Sequence, residues 1–144
     1  MDDILSRPEI AVMIGVLGAA ILVLIARGVA HRRETLVYGV GLGFTAVVYV
    51  VFGLQRGAPA SHLGREFVGA LPYVVVAVLG TWRWPALLAL GWIAHAAWDL
   101  HFHYANGPAF APSWYALFCV GFDVAVGGYI AGLVAARLPA AQAR

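Results

Sequence analysis

The chain has 144 residues, 62% of them hydrophobic and only 11% charged. A water-facing surface needs about a quarter of its residues charged, so a soluble enzyme or binding domain is excluded and lipid is the natural solvent. The net charge of +2 comes from scattered arginines with no lysine, which leaves no basic stretch dense enough to hold nucleic acid.

A hydrocarbon core of roughly 30 Å takes about 20 mostly apolar helical residues per crossing. Residues 1–144 therefore read as a single integral membrane domain, an all-α polytopic helix bundle with five transmembrane helices and short loops. The first helix covers about 10–26 and is closed by Arg27, His31, Arg32 and Arg33. It has no clear small-residue cleavage site and more apolar runs follow it, so it reads as a retained helix rather than a signal peptide. The second covers 36–54 and ends before Gln55, Arg56, Gly57 and Pro59. The third covers 62–82, because its uncharged stretch from Phe67 to Trp82 is short for a crossing and draws Glu66 to the hydrocarbon edge. Ser61 is its expected N-cap, and Pro72 an expected kink that frees the carbonyl of Val68. The fourth covers 84–104 and starts at Pro85, which suits a first helical turn. The fifth covers 113–137, after the breaker-rich loop from Ala105 to Pro112, and Pro139 is expected to stop it.

The arginines set the expected orientation. With the N-terminus outside and the C-terminus inside, Arg27, Arg32, Arg33, Arg83, Arg137 and Arg144 lie inside, against Arg7, Arg56 and Arg65 outside. The acidic start, Asp2, Asp3 and Glu9, does not oppose this. Trp82 and Trp84 then mark the inner interface, and Tyr104, Trp114 and Tyr115 the outer one. Gly39 with Gly43, and Gly128 with Gly132, are spaced for close helix packing, within the bundle or in a homo-oligomer.

An aspartate or basic residue at the bilayer centre costs roughly 2.5–3.5 kcal/mol on insertion scales, so ionisable residues that persist there face the bundle interior. Three helices carry them: His62 and Glu66 on the third, His95, Asp99 and His103 on the fourth, and Asp123 on the fifth. Steps of four advance about 40° around a helix, so His95, Asp99 and His103 form one drifting stripe. His101 points elsewhere. Counting rises places His95 level with Asp123, and His103 with His62 and Glu66, all in the outer half of the membrane. Eight residues separate His95 from His103 by roughly 12 Å along the axis, so one ion cannot bind both. Two metal sites are open, a shallow one from His62, Glu66, Asp99 and His103 and a deep one from His95, Asp99 and Asp123. Nitrogen and oxygen donors suit a divalent metal, with zinc first among Zn, Fe and Mn. The alternative is a buried hydrogen-bond network that locks the helices together.

Cys119 is the only cysteine, which excludes an internal disulfide and a thiolate cluster within one chain. Membrane desaturases need more than the five histidines present, and a bis-histidine haem needs two deep facing histidines where only His95 qualifies.

The segment His95-Ala-Ala-Trp-Asp99-Leu-His-Phe-His103 resembles the histidine- and aspartate-bearing helix of a family of small, uncharacterised bacterial membrane proteins, a domain-of-unknown-function group. That resemblance implies no activity and places the chain in a bacterial inner (cytoplasmic) membrane. By residue type the polar set also resembles the ceramidase-type membrane hydrolases, which hold zinc among histidines and an aspartate, although their larger seven-helix architecture is absent here. The leading expectation is a metal-dependent membrane hydrolase acting on a lipid or another apolar substrate. Glu66, Asp99 or Asp123, whichever carboxylate is not bound to the metal, would then be the general base. The rivals are a proton-coupled or ion transporter using the same residues as a relay, and an accessory subunit whose polar cluster is structural.

Overall fold

The computed structural model describes residues 7–29, 33–106 and 111–142. Asp2, Asp3, His31, Arg32, Arg144 and residues 107–110 of the expected loop lie outside them. The described chain is all-α: α1 (Pro8–Val29), α2 (Glu34–Gln55), α3 (Ala60–Trp82), α4 (Pro85–Trp98) and α5 (Ser113–Gln142), with a π-helical stretch, Asp99–Ala105, continuing α4. Four of these helices, α1, α2, α3 and α5, are long and apolar enough to cross a membrane. The fourth differs from the single uniform helix expected over 84–104. Its α-helical part has 14 residues, and the remaining turns are wound as π-helix, where hydrogen bonds run from i to i+5.

Helix ends follow local chemistry. Pro8 starts α1, where a missing N–H goes unnoticed, with Glu9 in the first turn and Arg27 in the last to complement the helix dipole. At the end of α2, Gly57 takes φ +63°, which only glycine adopts at little cost. The N–H groups of Gly57 and Ala58 then close back on the carbonyls of Leu54 and Gly53 at 3.3 and 2.8 Å, a Schellman motif. Two expectations change here. Pro59 occupies the N-cap of α3, so Ser61 sits exposed inside the first turn and caps nothing. Helix α5 continues past Pro139 to Gln142, beyond its expected stop near Arg137, because a proline at an outlying end forfeits only one backbone bond.

Helix α1 packs along α5, α2 along α3, and α5 also along α4, whereas α1 and α2 scarcely touch. The close approach is made by glycines that sequence spacing did not single out. A side chain at Gly15 would collide with the backbone carbonyl of Phe118, and one at Gly121 with that of Val12, so these two positions let α1 and α5 meet backbone to backbone. Of the expected pairs, Gly39 alone packs tightly, against Thr81; a side chain at Gly43, Gly128 or Gly132 would meet nothing. Tyr38, Leu42, Leu88, Trp92 and Val126 are fully buried at the centre of the bundle.

Candidate metal centre

The buried polar residues sort into two groups along the bundle. Spacing on α4 puts His95 and Asp99 on one face, and α5 brings Asp123 against them. The ligand atoms of these three residues lie within 4.8 Å of one another. His95 Nδ1 is 2.8 Å from Asp123 Oδ2, the length of a hydrogen bond, and 3.6 Å from Asp99 Oδ2. All three side chains are buried, Asp99 and Asp123 to 0% exposure. Neither oxygen of Asp99 completes a hydrogen bond, nor does Oδ1 of Asp123. Burying a carboxylate without partners is among the costliest things a protein interior can do.

The trio could hold a divalent ion. Metal–nitrogen and metal–oxygen bonds of about 2.0–2.2 Å at tetrahedral angles set neighbouring donor atoms about 3.4 Å apart; His95 Nδ1 lies 2.8 and 3.6 Å from the two aspartate oxygens, and all three ligand atoms lie within 4.8 Å of one another. The unpartnered carboxylate oxygens provide further donors or a base.

The second group lies one π-turn further along. His103 Nε2 is 3.2 Å from Glu66 Oε2, and Glu66 Oε1 accepts hydrogen bonds from Arg65 Nε and Nη2 at 3.3 and 3.1 Å. The His103 ring lies flat on Tyr49, centroids 3.4 Å apart and planes 4° from parallel. Glu66 and His103 thus pair with each other, and neither is among the three residues whose ligand atoms converge. His62, one turn before Glu66 and half-buried, lies outside the converging three. His101 is exposed.

An apolar cavity of about 280 Å³ adjoins the trio, with walls that include Leu22, Phe44, Trp92, Tyr115, Cys119 and Phe122. The Cys119 thiol sits beside the Asp99 carboxylate and the Tyr115 hydroxyl. Residues 10–137 match DUF6010, a family of unknown function. The chain belongs to this family. The match covers nearly all of the described structure, including both polar groups, so the DUF6010 unit and the helical bundle coincide. No curated protein matches the chain, and no solved structure does. The likeness to ceramidase-type hydrolases therefore gains no support.

Several residues around the site escaped the sequence reading. Tyr49 had a signal: it lies eleven residues, about three helical turns, after Tyr38, on the same buried face as Leu42 and Ala46. Tyr73, whose ring meets His95 edge-on at 5.0 Å and whose hydroxyl donates to the Ala94 carbonyl at 3.2 Å, had none beyond its residue type. Glu34, at the far end of the bundle, accepts hydrogen bonds on Oε1 from both Tyr38 and Tyr129, each at 2.8 Å. Sequence spacing did not single it out.

Proposed function

We propose that the chain is a divalent-metal-dependent membrane enzyme, zinc being the first choice, that hydrolyses a lipid or another apolar substrate at His95, Asp99 and Asp123. The observation that carries this reading is the convergence of one imidazole and two fully buried carboxylates, with His95 as the ion-pair partner of both. A bound divalent ion would supply Lewis acidity and activate water. The chain's own residues would hold it through His95 Nδ1, Asp99 Oδ2 and Asp123 Oδ2, with the free oxygen of Asp123 or Asp99 as general base. Glu66, paired with His103 and Arg65, would shape the approach from the nearer end. The adjoining cavity supports an apolar substrate, since water-soluble molecules would gain little from its walls.

In this reading the π-wound fourth helix completes five crossings, the N-terminus lies outside, and the polar groups occupy the outer half of a bacterial cytoplasmic membrane. The open stripe at Gly128 and Gly132 would be the face for self-association. Elemental analysis of detergent-purified protein, prepared without chelator, tests the central claim. One metal per chain is expected, lost in His95→Ala and Asp99→Ala and kept in His103→Ala. Wild-type protein with only trace metal would sink it.

A further inference from the structure

The cavity beside the trio reaches the outside of the bundle sideways. Its walls join Leu22 of α1 to Phe44 of α2, and these are the two sequence-adjacent helices that scarcely touch. Phe44 in that seam is 67% exposed, so the mouth opens on the lipid-facing side rather than at an aqueous end. Whatever enters there comes out of hydrocarbon and must lead with an apolar part.

The inner wall is built from immediate neighbours of the metal-binding trio. Trp92 lies one turn before His95, Phe122 directly precedes Asp123, and Cys119 sits against Asp99. Trp92 carries a second sign. It is 0% exposed, yet its indole Nε1 has no hydrogen-bond acceptor, and a buried donor left so costs about 1–3 kcal/mol. The volume, about 280 Å³, lies at the small end for ligand pockets and suits one chain rather than a whole two-chain lipid.

We infer that this cavity is an acyl-chain pocket, entered laterally between α1 and α2, which seats one acyl chain of a bilayer lipid against the residues that flank the trio. That the chain so seated is a substrate rests on the trio being the reactive centre; the binding of the chain does not. Gly41 guards the pocket's width, since a Cβ there would already lie 3.1 Å from the Trp92 ring, so Gly41→Leu fills the space.

The test uses the full chain in detergent and a long-chain fatty acid methyl ester carrying a diazirine, with the unmodified ester as competitor and mass spectrometry to map the label. Label is expected on Trp92 and on Cys119 to Phe122, reduced about tenfold by competitor and equally by Gly41→Leu. Leu22→Trp, which blocks the same space from α1, should reproduce the loss, so a folding defect in one variant does not decide the result. Label spread over lipid-facing residues such as Leu24 and Val78 without competition would overturn the inference, as would wild-type labelling in both variants. Competable label in a protein that holds no metal would keep the pocket and remove the hydrolase reading. Stoichiometric metal without competable label would do the reverse.

Discussion

Asp99→Asn separates a metal centre from a structural polar network, because the two predict opposite signs. Without metal, wild-type protein holds a fully buried carboxylate with neither oxygen hydrogen-bonded. The insertion cost of an aspartate near the bilayer centre is roughly 2.5–3.5 kcal/mol, and removing the charge should recover on the order of 1 kcal/mol of it. In chelator the variant should therefore melt slightly above wild type. With zinc at about a hundred times its dissociation constant, wild type gains about 2.7 kcal/mol, or roughly 5–10 °C for a chain of this size. The variant, lacking a ligand, should gain little, so the order of the two reverses. Thermal unfolding in detergent with and without zinc reads this directly. Had Asp99 been holding helices together, the variant would melt several degrees lower in chelator as well. That result, or a wild type indifferent to zinc, cobalt and manganese, would refute the reasoning.

Gly121→Leu should lose about 1–3 kcal/mol or more of stability, because its side chain meets the Val12 carbonyl across the α1–α5 contact, whereas Gly128→Leu should change the monomer's melting little. Glu34→Gln weakens two tyrosine hydrogen bonds to a charged acceptor and should cost roughly 2 kcal/mol in the same melts, with metal content unaffected. Glu66→Gln removes the charge that faces His103 and Arg65 and should cost about 1–3 kcal/mol while leaving one metal per chain. Loss of metal in that variant would move Glu66 into the ligand set.

Hydropathy and breakers were enough to place five helices within a few residues, because apolar length and Pro and Gly positions act locally. The π-winding of Asp99–Ala105 was not legible, since nothing in the residue types there distinguishes an i+5 from an i+4 bond. Depth counting did put His95 level with Asp123, and their 2.8 Å contact follows from it. What counting along an axis cannot give is rotation about it. Glu66 and His103 were rightly grouped by level, but whether they would turn toward Asp99 or toward each other depends on how α3 and α4 face across the bundle. The same blindness hid Gly15 and Gly121, which are unremarkable within their own helices and matter only because two backbones cross there.

The apolar layer next to the trio favours the enzyme proposed above over a proton-coupled transporter. A relay needs a next polar group within hydrogen-bonding reach of Asp123. The next inward positions on the same faces are Val126 on α5 and Trp92 on α4, with Leu88 and Leu42 beyond, all 0% exposed; the Trp92 indole N–H donates only and cannot relay a proton. The following polar group among the described residues on α5 is Tyr129, six residues or roughly 9 Å further on, and its hydroxyl is committed to Glu34. Protons entering past Glu66 and His103 thus meet a closed hydrophobic floor. Reconstituted into proteoliposomes under a pH gradient, the protein should carry no proton flux above empty vesicles. A flux that disappears in Asp123→Asn would show that the floor opens, and the trio would then have to be read as a stage in a pathway rather than the end of a pocket.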